Sequence, residues 1–184
     1  MALFGERGVD ATTVTGICER ADVAHQTFFN HFAAKQDLVR DLVQRGNAFV
    51  LESLDTAQRE EKSTGDRLAR LFSLLHGAAA AVGPMHQDLV SETIRAAYET
   101  DDPARSREVH RAIAKLLRAG RVQRDVTRQH AIEDLVALVV GALSQLMLEW
   151  AHRDDFAVAE RSMRMARLLA EALAPRPGER APRT

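Results

Sequence analysis

The chain has 184 residues, with 25 Lys and Arg against 26 Asp and Glu and a formal net charge of −1, so it lacks the strongly basic balance that usually marks a nucleic-acid binder. Its single cysteine, Cys18, excludes an intrachain disulfide, and the strongest apolar run, 135–143, is too short to span a bilayer. A hydrophobic content of 46%, few prolines, abundant Ala, Leu, Arg and Glu, and no secretory pattern at the start predict a cytoplasmic, all-α chain with a sizeable core and no membrane partner.

Periodicity predicts nine helices and no strands. The first is a stub over 1–6, closed by Arg7-Gly8. The second covers 14–21, where Val14, Ile17, Cys18 and Ala21 form one apolar stripe. Cys18 lies on that stripe and reads as a core residue. Asp22-Val23 reads as a tight turn, because Asp tolerates left-handed backbone. The third helix covers about 25–31, with Phe28 and Phe32 four apart as inward anchors and His25, Gln26, Thr27 and Asn30 outward. The fourth runs from about 34 to 54. A polar stretch, 58–65, then breaks the pattern. The fifth covers about 66–82 and ends at Gly83-Pro84, and the sixth covers about 85–99 and ends before Pro103. The seventh covers about 104–119 and closes at Gly120. The eighth covers about 128–152 and the ninth about 156–173. A Pro- and Arg-rich tail from 175 reads as disordered. These elements divide into 1–50, 51–174 and a tail over 175–184.

The pair of short helices joined by a tight turn, at 12–35, fits a helix-turn-helix. The combination Phe4-Gly5-Glu6-Arg7-Gly8, Thr12-Thr13-Val14, Ile17, Ala21, Val23, Thr27-Phe28-Phe29, His31-Phe32, Lys35 and Leu38 resembles the TetR family of transcriptional regulators. The resemblance covers about the first fifty residues. Beyond them only helix number and style agree. It implies an N-terminal three-helix DNA-binding domain, whose first helix is truncated in this sequence, and a C-terminal helical domain for ligand binding and dimerisation. The true start is therefore expected upstream, with a basic arm that would ease the conflict with the neutral charge.

Base readout is expected from His25, Gln26 and Asn30. Gln and Asn pair bidentately with adenine, and His can donate to guanine or phosphate. Thr12 or Thr13 is expected to cap the second helix, with Thr13 available to phosphate. The resemblance adds Thr27, His31 and Lys35 as backbone contacts, Lys35 at a helix start that already favours anions. Phe29 stands where the family usually has Tyr, so its ring can pack on sugar without a hydroxyl to reach phosphate. Ala24 and Ala34 replace the usual Ser caps, and Asp22 replaces a usual Gly. These departures lower the expected affinity.

Pockets are mostly apolar with a few placed polar groups. On that basis Phe72, Leu75, His76, Met85, His86 and Leu89 are expected to line an effector site, together with Thr93, Leu116, Leu117, Leu143 and Met147. His76 and His86 are the candidate polar handles, though either reads equally as a surface or structural histidine. The eighth helix is apolar on more than one side, which calls for burial on more than one side. That burial lies either within one subunit or against a second. The resemblance points to the second, a homodimer through the last two helices, with Leu146, Trp150, Met163, Ala166, Leu169 and Leu173 at the contact. No metal spacing, cofactor motif, phosphate loop or nucleophile motif is present, so no enzyme is expected. The chain is expected to be a repressor that binds double-stranded operator DNA and is released by a small apolar or amphipathic effector. The alternative is a helical small-molecule-binding or interaction protein with a vestigial DNA-binding motif.

Overall fold

Thr13 caps the helix that starts at Val14, and left-handed backbone at Asp22 ends it. The computed structural model describes residues 2–82, 103–152 and 157–176. Among them are eight helices and no strand: α1 Ala2–Ala11, α2 Val14–Ala21, α3 His25–His31, α4 Lys35–Glu60, α5 Thr64–Val82, α6 Pro103–Gln123, α7 Ile132–His152 and α8 Val158–Leu173. The expected helix over 85–99 and the tail from 177 lie outside the described residues. So do the effector-site candidates Met85, His86, Leu89 and Thr93.

The short N-terminal helices are set by local chemistry. Gly8 adopts φ 75° and kinks α1 where a stop was expected, but one further turn of helix follows to Ala11. Thr13 caps α2, its Oγ1 accepting the Gly16 amide at 3.1 Å. Thr12 turns inward instead, with its buried hydroxyl within hydrogen-bond distance of Gly8 O at 2.6 Å and Leu3 O at 3.0 Å. Asp22 takes left-handed backbone, and the amides of Asp22 and Val23 close α2 on Glu19 O and Cys18 O. Cys18 and Phe28 are buried, and Phe28 meets Phe32 with ring centroids 5.6 Å apart.

The larger part is a bundle of α4 to α8 around one core. Leu54 and Ala57 of α4, Leu68, Leu71 and Phe72 of α5, and Ile113, Leu116 and Leu117 of α6 meet Leu135, Val139, Leu143 and Leu146 of α7 and Ala166, Leu169 and Leu173 of α8. Each fully buried Leu or Phe there contributes about 1.5–3 kcal/mol relative to exposure. Trp150 and Ala151 form a smaller cluster with Ala79, and Val158 packs against it.

Several boundaries differ from expectation. α4 runs to Glu60, because buried Leu54 and Ala57 extend its core face and Gln58-Arg59-Glu60 are good helix formers. It is continuous through residues 50 and 51. α6 passes through Gly120 to Gln123, because that glycine serves close packing. A Cβ there would collide with Thr64 Oγ1, Val126 and Asp125. α7 begins at Ile132, not 128, because the preceding residues form a tied loop. The Asp125 carboxylate accepts the Thr64 amide at 2.7 Å and the Thr64 hydroxyl at 2.8 Å, and the Thr127 amide donates to Leu173 O at 2.8 Å. Arg121 donates to Thr127 O and to His130 O.

Most of the residues expected at the dimer contact lie inside the protomer. Leu146, Trp150, Ala166, Leu169 and Leu173 are buried inside the protomer's own bundle, because the side of α7 and α8 that carries them packs against α4, α5 and α6. Of the six residues, Met163 alone is exposed. Leu138 of α7 and Leu168 of α8, at 46% and 59% exposure, are the other large apolar side chains that these helices turn outward among the described residues.

Candidate nucleic-acid interface

The outward face of α3 is held in place by what lies behind it. Phe28 is 6% exposed and fixes α3 on the domain, while Phe29 beside it is 48% exposed. The two rings meet edge-on at 5.4 Å. Period 3.6 then puts His25, Gln26, Thr27, Asn30 and His31 in solvent, where all five are exposed. Ala24 provides no side-chain cap, so α3 starts on backbone geometry alone, as expected from its sequence.

The exposed groups are partly pre-paired. Gln26 Nε2 donates to Asn30 Oδ1 at 3.1 Å. That bond leaves the Gln26 carbonyl oxygen as acceptor and the Asn30 amide nitrogen as donor, the complement of the adenine N6 donor and N7 acceptor. His25 Nε2 lies 3.1 Å from Thr15 Oγ1, which links α3 to the first turn of α2. Thr15 was not among the candidates from sequence. The signal was present in its place one turn into α2, next to a Thr cap. Thr13 Oγ1 uses one lone pair on the Gly16 amide, and its O–H is able to donate to an anion. The exposed aromatic edge of Phe29 offers apolar contact to a sugar or a thymine methyl.

The Lys35 side chain is turned toward the protein. Its ammonium group turns back on main-chain carbonyls of the α1–α2 corner, at 2.5 Å from Val9 O and 2.9 Å from Thr12 O. At the same helix start, Ala34 has no side-chain acceptor. Asp37 supplies the other half of a capping box, taking the Ala34 amide at 3.0 Å. Arg40 pairs with Asp37 at 2.5 Å, and Arg45 pairs with Asp41 at 2.7 Å. Such exposed pairs add little stability. They do neutralise positive charge near the start of α4, in keeping with the near-zero net charge.

The effector-site candidates that fall among the described residues lie in the bundle. Phe72, Leu116 and Leu117 are fully buried core side chains, Leu75 and Leu143 are buried beside them, and Met147 packs half-buried against the same cluster. His76 is half-buried on α5, and its Nδ1 is shielded from solvent with no hydrogen-bond partner among the described residues.

The sequence profile of the bacterial regulatory proteins of the tetR family matches residues 1–42, that is α1, α2, α3 and the first turns of α4. The likeness to the TetR family in sequence thus rests on the first 42 residues. The chain's relatives include the HTH-type transcriptional repressor KstR2 of Mycobacterium tuberculosis, 34% identical over 90 residues. That match takes in 48% of this chain and 43% of the repressor, so the chain spans less than half the length of the curated relatives it matches. TetR-type folds agree over far more of the chain. The structure of the M. tuberculosis ketosteroid transcriptional regulator KstR2 superposes with a TM-score of 0.71 at 16% identity, over 94% of this chain and 90% of that one. Thermus thermophilus FadR, a TetR-family repressor solved with lauroyl-CoA, superposes with a TM-score of 0.61 at 26% identity, over 99% and 93%.

Proposed function

We propose that the chain is a ligand-responsive transcriptional regulator, a repressor that binds double-stranded operator DNA in the cytoplasm as a homodimer. The observation that carries this reading is the face of α3. A buried Phe28 holds out a paired Gln26 and Asn30 with His25, Thr27 and Phe29 around them, which is the donor, acceptor and apolar mixture that a major groove answers. Thr13 and His31 flank that face for phosphate. A dimer would place two such helices on two half-sites about one helical turn apart.

The effector is a small apolar or amphipathic molecule received among α5, α6 and α7 near His76. The lauroyl-CoA complex of one similar protein, and the description of another as a ketosteroid transcriptional regulator, support a largely apolar guest with a polar end. Such a guest releases DNA only if it binds one arrangement of the domains better than the other, commonly by about 1–3 kcal/mol. Trp150 sits in the cluster that joins α5, α7 and α8 and reports on that end of the bundle.

The test is selection of duplex DNA from a random pool, followed by titration of the bound complex with lauroyl-CoA and with a ketosteroid. The expected result is a partly palindromic operator whose release follows a change in Trp150 emission over the same concentration range. Failure to enrich any duplex sequence would overturn the regulator reading. Enrichment without release by either compound would leave a DNA-binding protein and overturn the choice of effector class.

A further inference from the structure

We propose that Lys35 is a positioning residue, tying the start of α4 to the α1–α2 corner so that the DNA-facing helices follow α4, and that it makes no phosphate contact. The inference rests on the DNA-binding reading above. An ammonium group carries three N–H donors and no acceptor. Lys35 directs its own at three main-chain carbonyls, Val9 O at 2.5 Å, Thr12 O at 2.9 Å and Asp10 O at 3.3 Å. A phosphate would have to strip these acceptors away.

The acceptors lie where a cation is favoured. Val9 and Asp10 follow the kink at Gly8, and three main-chain carbonyl oxygens converging on one point favour a cation there. Thr12 lies between α1 and α2. The same corner is braced from within by the buried Thr12 hydroxyl, against Gly8 O and Leu3 O, and from the other side by the Thr13 cap of α2. α2 and α3 pack on each other beyond that cap. A displacement of the first turn of α4 therefore pulls, through one side chain, on the residues from which α2 and α3 extend.

The experiment compares wild type, Lys35→Met and Lys35→Arg in the full chain. Binding to a selected duplex is measured against KCl concentration, and backbone hydrogen exchange over residues 3–16 is measured without DNA. The Met variant should bind about tenfold or more weakly at every salt concentration, because charged hydrogen bonds are lost. Its log–log salt slope should equal that of wild type, and exchange at residues 9–16 should quicken. The Arg variant still donates to carbonyls and should stay within about threefold of wild type in affinity and exchange. A salt slope smaller by about 0.9, the loss of one phosphate contact, would overturn the proposal. So would a Met variant that melts earlier yet binds normally well below its melting temperature, since that is a stability role alone. If the Met variant does not fold, Lys35→Gln, which keeps N–H donors without charge, should give an intermediate affinity and exchange at an unchanged slope, and a lowered slope there would be equally fatal. If the wild type enriches no duplex, the regulator reading fails by itself. The exchange arm then decides the tie, with unchanged exchange in the Met variant refuting it.

Discussion

One hydrogen bond joins Gln26 and Asn30, so in the proposed base contact the two are expected to act as one unit. Gln26→Ala should cost about 1–3 kcal/mol of operator binding at one base pair and relax specificity there. Asn30→Ala should give a similar loss at the same position, and the double variant little more than either alone. Fluorescence anisotropy with operators changed at single positions reads all of these. Losses that fall at different base pairs, or that simply add, would show that the two side chains work separately. Sequence spacing was enough to put both on the outer face of α3. It could not reveal the bond, because spacing fixes direction from the helix axis and not side-chain torsion. The same limit applies to Lys35, whose long side chain reaches back over 26 residues to Val9. It also left Thr12 and Thr13 interchangeable, until backbone geometry gave only Thr13 the cap.

At the scale of elements, the two short helices α2 and α3 were legible to the residue. α2 has a cap at one end and a left-handed Asp at the other, and α3 has paired phenylalanines four apart. The ends of α4, α6 and α7 were not legible, because tertiary packing set them. Gly120 shows why. In sequence it reads as a stop, yet it lies inside α6 with its missing Cβ filled by the Thr64 hydroxyl, Val126 and Asp125. Gly120→Ala gains about 1 kcal/mol of helix propensity. It forces a methyl into a filled space at about 1–3 kcal/mol and disturbs the Asp125 cap of α5 at about another 1 kcal/mol. The net expectation is a loss of about 1–3 kcal/mol, read as a lower urea midpoint. An unchanged or higher midpoint would mean that the loop moves aside at no cost. The apolar members of the candidate effector site could not be told from core, since core and pocket call for the same side chains.

For the whole molecule, the buried and outward faces of α7 and α8 separate folding from assembly. Leu169 is 2% exposed and Leu168 is 59% exposed, adjacent in sequence and opposite in fate. Leu169→Asp places a charge in the core and should unfold the bundle, seen as lost helicity by circular dichroism. Leu168→Asp and Leu138→Asp should keep helicity and convert the proposed dimer to monomer by sedimentation, with operator binding falling as one half-site is left to act alone. A Leu168→Asp, Leu138→Asp protein that remains dimeric would place the contact elsewhere. The tied loop between α6 and α7 sets a different property. Asp125 grips the start of α5, Thr127 grips the end of α8, and Arg121 folds the intervening chain back onto the end of α6. Four helix ends thus share one pivot, and each helix swings from it as a lever. α5 has 19 residues and is about 28 Å long, so a turn of about 5° moves its Val82 end by about 2.5 Å while Leu68 barely shifts. A guest received as proposed would therefore find more give toward Ala79 and Trp150 than near residue 125, and a small angle at the pivot would become a large stroke at the far end.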